Sequence, residues 1–358
     1  MLINKLNIKN LRNLEQVELS PHPSINTFFG SNGAGKTSVL ESLAILSRGR
    51  SFRGNKIGGV IGQASSKLSV YAEISGDGDT DEGNHLTRMG LERSSKDWKA
   101  RRDGNDLNQL SELAESLAVV VMEPNSHLLV SGSPDVRRRY LDWGVFHVEP
   151  RYLDSWRRYA RALKQRNAAL RAGQVDVLAG LDSVLVLAGE QMTELRSKYV
   201  EELSGSFSKL MSELSPGLGK VSLEYHKGWS AVTLEAALSA QRNSDIERGS
   251  THSGPHRADL KLKVDGYVVR DTASRGEQKV LATALVLAQT RRHCESDKKP
   301  LLLLDDLASE FDQHHFAAAL EVGIGFGVQI WITGVEEFDP GTPHSRFHVE
   351  HGQVRKMV

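Results

Sequence analysis

Phe29-Gly30-Ser31-Asn32-Gly33-Ala34-Gly35-Lys36-Thr37 is a complete phosphate-binding loop. Its three glycines allow backbone conformations closed to residues with a Cβ, so successive N–H groups can turn inward on a phosphate. Lys36 adds a mobile positive charge for the outer phosphates, and the Thr37 hydroxyl can join the shell of a magnesium ion. The flanks agree with this reading. Ile25 to Phe29 reads as a buried strand, and after Lys36 apolar residues recur at Val39, Leu40, Leu43 and Leu46 with helical spacing. A helix starting at the loop turns its positive end toward the anion. A glycine-rich turn matching by accident would lack both neighbours. The expected phosphate-binding residues are Gly30, Ser31, Asn32, Gly33, Ala34, Gly35, Lys36 and Thr37.

Far along the chain, Leu301-Leu302-Leu303-Leu304-Asp305-Asp306 is a short apolar run closed by two carboxylates. It reads as a buried parallel strand whose end offers acid to a metal. The alternative is a strand-end turn with solvated acids, which the loop at Lys36 disfavours. Compact domains commonly span about 100–150 residues, so the gap between the two motifs predicts a large insertion between halves of one fold. One helix upstream of the acidic strand comes Ala273-Ser274-Arg275-Gly276-Glu277-Gln278-Lys279. Ser274 and Glu277 have capping-box spacing, and Val280, Leu281, Ala284, Leu285 and Ala288 continue as a helix. Alone this would be a well-capped helix and nothing more. In this order along the chain it resembles the ABC-type signature, which acts on ATP held by a second subunit. Ser309-Glu310-Phe311-Asp312 falls where that class has its D-loop.

The chain as a whole resembles the RecF family of bacterial recombination proteins, relatives of SMC-type heads. The resemblance rests on Leu6-Asn7-Ile8-Lys9-Asn10-Leu11-Arg12-Asn13, the phosphate loop, and Leu46 to Arg53. It rests further on Arg137-Arg138-Arg139-Tyr140-Leu141-Asp142-Trp143, Gly254-Pro255-His256-Arg257, the signature and the acidic motif. The triple-arginine and Gly-Pro-His-Arg blocks are not general ABC features, so they carry the assignment. Ser38, Glu277 and Ala258 depart from common family residues. The implied fold is α/β, an ABC-type P-loop ATPase head with an inserted α-helical hairpin domain.

Composition bounds the reading. A chain of 358 residues buries a large core and is expected to hold two domains. Lys+Arg and Asp+Glu both number 45, so any DNA contact needs a local basic patch rather than bulk charge. The single Cys294 excludes an internal disulfide framework, and no Cys/His spacing suggests zinc. No run approaches the roughly 18 apolar residues of a membrane span, and the opening residues lack a signal-peptide core. The expected location is the cytoplasm. Helical periodicity sets in near Pro134, with Leu153, Trp156, Ala160 and Leu163, then Ala188 through Leu210, in stripes that read as packing faces. Two helices joined near Gly173 would form the hairpin. The expected division is a head at 1–130, an arm at 131–218 and the rest of the head at 219–358.

The resemblance implies roles for individual residues. Lys36 and the loop amides bind the phosphates of ATP, while Thr37 and Asp305 hold Mg2+. Asp306 stands where ABC proteins orient the attacking water, commonly with Glu. Aspartate is shorter, so slow hydrolysis is expected. Arg12 resembles a nucleotide-contacting residue of SMC-type heads, and a solvated loop arginine is the alternative. Thr333 ends the strand after the acidic one, where many relatives carry a phosphate-sensing His. Ser274 acting in trans implies an ATP-dependent homodimer. Candidate DNA contacts are Arg137, Arg138 and Arg139, and Arg157, Arg161 and Lys164 on one helix face. The alternative for these is a solvated face or internal ion pairs. Implied partners are gapped or junction DNA, RecR and RecO, in support of RecA loading and the SOS response. A rival function is an ATP-switched scaffold with little DNA affinity of its own.

Overall fold

Three apolar runs lie side by side: β3 (Ile25–Phe29), β12 (Leu301–Leu304) and β13 (Ile330–Gly334). All are parallel, with β13 between the other two. Nearly every residue in them is buried, as expected for strands covered on both faces. β8 (Val119–Met122) adds parallel to β12, and β14 (His344–Glu350) parallel to β3. β15 (Gln353–Met357) closes the edge as an antiparallel strand, giving the order β15-β14-β3-β13-β12-β8. An aromatic stack locks the centre: the Phe28 ring lies 5.5 Å from Trp331 and 4.8 Å from Phe347, nearly parallel to both. The computed structural model describes residues 1–54, 57–76, 86–295, 299–307 and 313–357.

This sheet belongs to a compact unit of residues 1–126 and 283–358. Its second sheet is antiparallel, with β1 (Leu2–Leu11), β2 (Leu14–Leu19), β4 (Lys67–Ser75), β5 (Thr87–Ser94), β6 (Trp98–Arg102) and β7 (Asn105–Asp106) in the order β2-β1-β4-β5-β6-β7. Period-2 alternation in β1 and β4 puts Leu6, Ile8, Leu68, Val70 and Ala72 inward. β4 pairs antiparallel with β5 over Lys67 to Ile74 and Thr87 to Ser94. Helix α1 (Lys36–Arg48) packs against strands of both sheets and joins them in one core. Helix α2 (Leu110–Ser116) packs on α1.

A second compact unit comprises residues 127–282. It holds α3 (Leu128–Ser131), α4 (Pro134–Val148), α5 (Tyr152–Arg171), α6 (Leu178–Leu214) and α7 (Leu234–Arg248). A three-stranded sheet in it orders β11 (Tyr267–Val268), β10 (Asp259–Val264) and β9 (Val221–His226). α5 and α6 form the hairpin expected around Gly173, which takes φ 68° between them. The unit extends to residue 282 and so includes residues 219–282 along with the helices. α8 (Arg275–Cys294) carries the division between the units, and α9 (Gln313–Gly325) follows β12 in the first. Among the described residues, no helix is long and apolar enough to cross a membrane.

Buried arginine–aspartate pairs link the helices of the second unit. Arg166 is fully buried and donates to Asp182, to Asp245 (2.7 Å) and to the Thr251 hydroxyl. Arg196 donates to Asp142, the Tyr152 hydroxyl and the Pro255 carbonyl. The Gly-Pro-His-Arg turn is part of this network. Tyr159 Oη lies 2.6 Å from His256 Nδ1, and a Cβ on Gly254 would fall 2.2 Å from that hydroxyl. Burial pushes His256 down to about 4, so the ring is neutral. The turn is a structural joint.

Candidate nucleotide site and nucleic-acid surface

Ligands of open parallel sheets bind beyond the carboxyl ends of the strands. Here four such ends deliver polar groups together: the phosphate loop from β3, Asp305 and Asp306 from β12, Thr333 from β13 and Glu123 from β8. The loop geometry depends on glycine. Gly30 takes φ 145°, and a Cβ there would fall 2.1 Å from the Val349 carbonyl oxygen. Gly35 takes φ 118° and begins α1 without a side-chain cap, leaving the first helical N–H groups to a ligand. Ser31, Asn32 and Gly33 are exposed at the tip, whereas Ala34 is buried.

The side chains lining the cleft are already engaged. Lys36 Nζ donates to the Gly30 (2.6 Å) and Ser31 (2.9 Å) carbonyls, folded over its own loop. Burial lowers its pKa, against the opposing fields of Asp306 and Asp305. Thr37 Oγ1 donates to Asp305 Oδ1 across 2.7 Å, although 268 residues separate them in sequence. Burial raises the Asp305 pKa, while hydrogen bonds from Thr37 and Thr333 oppose the rise. Asp306 takes φ 53°, an uncommon value for a residue other than glycine. A cleft of about 800 Å³ opens over these groups, lined by Arg12, Asn13, Lys36, Thr37, Asp306 and Thr333 among others.

Arg12 is no solvated loop residue. Its Nε and Nη2 donate to the two Glu41 oxygens at 2.9 and 2.8 Å, and Nη1 donates to the Gly59 carbonyl. Glu41 is 0 % exposed and also accepts the Ser51 hydroxyl. Two further residues of the site escaped the sequence reading. Asn13 donates to the Gly33 and Ala34 carbonyls, bracing the loop from the β1–β2 turn. Glu123 lies level with Asp305, because β8 and β12 pair Met122 with Leu304. Burial and the nearby Asp305 and Glu41 push its carboxyl up to about 7, against Arg48 and Arg53. Its sequence signal was available, since Val119 to Met122 followed by Glu123 repeats the pattern of an apolar strand ending in acid.

The residues present suit a nucleotide with its metal. The loop offers N–H donors and an ammonium, and Thr37 with Asp305 offers two oxygen ligands at one point. Among the described residues, no cluster of three or more His, Cys, Asp or Glu could hold a metal alone. A magnesium ion here would draw its other ligands from phosphate and water, as that ion usually does.

In the second unit, Ser274 is exposed at the start of α8. Its N–H donates to Glu277 Oε2 (2.7 Å) and its hydroxyl accepts the Glu277 N–H (3.3 Å), which is the expected capping box. The D-loop positions Ser309 to Asp312 lie outside the described residues. The triple-arginine cluster needs correction. Arg137 is 4 % exposed; it pairs with Asp259 and donates to the Val130 and Gly132 carbonyls, so burial removes it from any DNA surface. Arg138 donates to the Ala258 carbonyl and pairs with Asp135, and the exposed Arg139 also meets Asp135. Arg161 and Lys164 are exposed on α5, and Arg157 is half-buried one turn before them.

Comparison with known proteins agrees with this architecture. The family model described as "RecF/RecN/SMC N terminal domain" matches residues 2–323. "DNA replication and repair protein RecF" of Stenotrophomonas maltophilia (strain R551-3) is 44% identical, with 99% of each chain covered. The protein of that name from Xanthomonas oryzae pv. oryzae (strain MAFF 311018) is 43% identical, covering 99% of this chain and 100% of the relative. Among solved structures, "Structure of the recombination mediator protein RecF-ATP in RecFOR pathway" superposes with TM-score 0.89 at 25% identity, covering 100% of this chain and 98% of that one. An SMC head bound to the C-terminal winged-helix domain of ScpA shares the fold at TM-score 0.62 and 15% identity, over 100% of this chain and 97% of that one. With matches over nearly its whole length, the chain belongs to the RecF family, within the RecF/RecN/SMC N-terminal domain group.

Proposed function

We propose that the chain is an ATP-gated, DNA-binding protein of recombinational repair, which dimerises on ATP at gapped or junction DNA to assist RecA loading and SOS induction. The observation that carries the nucleotide part is the 2.7 Å approach of the Thr37 hydroxyl to Asp305, beside Lys36 at the loop. Lys36 exchanges two neutral carbonyls for charged phosphate oxygens, a stronger class of hydrogen bond. Thr37 and Asp305 would hold Mg2+, which would supply positive charge against the phosphates. Asp306 orients the attacking water. Its side chain is one methylene shorter than the usual Glu, so hydrolysis is slow and the bound nucleotide acts as a switch rather than a fuel. Arg12, fixed by Glu41 in the cleft, adds positive charge on the phosphate side.

Ser274 gives the dimer its logic. An exposed serine at a capped helix start suits the phosphates held by a second copy, so two nucleotides bridge two heads. DNA contact falls to Arg157, Arg161 and Lys164, with Arg138 and Arg139 at the margin. RecR and RecO are the proposed protein partners, and the cytoplasm the proposed location. The burial of Arg137, together with zero net charge, supports a second reading as an ATP-switched scaffold. Sedimentation of the parent and Ser274→Arg with ATP tests the dimer, and a variant that still dimerises fully contradicts it. Anisotropy of labelled gapped duplex with and without ATP separates the readings. ATP-tightened, salt-sensitive binding supports the DNA clamp, and no binding in either state supports the scaffold.

A further inference from the structure

Thr333 makes two hydrogen bonds that have no place in the scheme above. Its side chain is buried at the carboxyl end of β13, with only 1 % of the residue exposed. Oγ1 donates to Asp305 Oδ1 at 2.9 Å and accepts the Asp306 backbone N–H at 2.8 Å. The directions follow from the chemistry. An ionised carboxylate only accepts and an amide N–H only donates, so the single hydroxyl proton is committed to Asp305. Thr37 and Thr333 therefore both bind the same oxygen, Oδ1, and together fix the rotation of the carboxylate.

The second bond acts on the backbone. Asp306 sits at φ 53°, a conformation that persists only where the surroundings over-determine it. The Thr333 hydroxyl receives its N–H and holds that residue in place. One side chain on β13 thus sets the side chain of the first acid and the main chain of the second. Because its proton is spent on Asp305, Thr333 cannot donate to a phosphate without releasing that carboxylate.

We propose that Thr333 is the positioning residue of the site, a hydroxyl brace that couples the metal-facing Asp305 to the water-facing Asp306. The proposal rests on the nucleotide reading of the cleft. Removing the hydroxyl loosens the acids and leaves the loop untouched. Metal-independent ATP affinity is then kept while metal-dependent gains are lost. Loss of a group that orients a metal ligand commonly costs tenfold to a hundredfold in metal affinity or activity.

The test compares the parent with Thr333→Val and Thr333→Ser, using a fluorescent ATP analogue in EDTA and in Mg2+, and steady-state hydrolysis. In EDTA, Thr333→Val is expected to bind within about twofold of the parent. Its Mg2+ half-saturation rises about tenfold and its kcat falls by about tenfold or more, whereas Thr333→Ser restores both. Equal losses in EDTA and Mg2+ would indicate a merely structural role and overturn the proposal. So would a Thr333→Val protein with unchanged metal dependence and kcat. Where Thr333→Val does not fold, Thr333→Ala and Thr333→Ser are compared in the same assays, and equal behaviour of these two overturns it. A parent that binds no ATP analogue in either buffer overturns the nucleotide reading itself, and the brace with it.

Discussion

Replacing Arg12 by Ala would strand Glu41. That carboxylate is 0 % exposed in α1, and of its hydrogen bonds two come from Arg12 and one from the Ser51 hydroxyl. Breaking a buried pair from one side typically costs about 3–5 kcal/mol, because the remaining charge stays buried. The Arg12 side chain is 30% exposed, which screens part of the attraction and brings the expected cost to about 2–3 kcal/mol. Glu41→Gln leaves the arginine free to reach water and should cost only about 1 kcal/mol. The double variant has no stranded charge, so its cost falls below the sum by about 2 kcal/mol. Native-state exchange of the α1 amides measures this within the first unit alone, without assuming that both units unfold together. An additive double variant, or Arg12→Ala costing under about 1 kcal/mol, would refute a keystone role for Glu41.

Three further outcomes follow from the same geometry. Gly30→Ala places a methyl group 2.1 Å from the Val349 carbonyl oxygen at φ 145°; calorimetry should show nucleotide binding lost, and parental affinity would contradict the loop geometry. Glu123 holds a proton in the folded chain that the unfolded chain has released, since its folded value of about 7 exceeds the ordinary 4.5. Its contribution to stability is full below about 4.5 and disappears as pH rises through about 7, a loss of about 2.5 kcal/mol between pH 5 and pH 8. Unfolding of Glu123→Gln over that range should lack this slope, and parallel curves would show the carboxyl to be solvated. Arg137→Ala should lower thermal stability, because it abandons Asp259, and leave the salt dependence of DNA binding unchanged. Arg161→Ala with Lys164→Ala should instead reduce the slope of log affinity against log salt by roughly one to two, and the opposite pattern would return Arg137 to the DNA surface.

What the sequence disclosed and what it hid divide along local and long-range physics. The phosphate loop was legible because glycine spacing, strand and helix all lie within a few residues. The strand at Leu301 to Leu304 was legible as a continuous apolar run, and the Ser274 cap as a three-residue interval. Arg137 was not: three consecutive arginines look alike until α4 turns one of them toward Asp259, 122 residues away. The same limit concealed Arg166 and Arg196, whose carboxylate partners come from other helices. Glu123 was missed for another reason. Its strand is legible as a short apolar run ending in acid, but only pairing with β12 brings it level with Asp305. The extent of the second unit was hidden too, since β9 and β10 look like any antiparallel pair until they pack beneath α6 and α4.

The placement of β3 has a consequence for how the protein is made. Its two neighbours, β13 and β14, are encoded some three hundred residues later, and Phe28 stacks on Trp331 and Phe347. At typical synthesis rates, roughly 15–60 s pass between the emergence of β3 and that of β14. For that interval β3 lacks both strands it pairs with, although the antiparallel sheet that also packs on α1 is already made. The cleft over the loop is therefore completed late in synthesis, because Asp306 and Thr333, which line it, lie far beyond Lys36 in the sequence. A product that stops short of residues 344–350 would leave β3 without one of its two neighbours and Phe28 without Phe347 on one face.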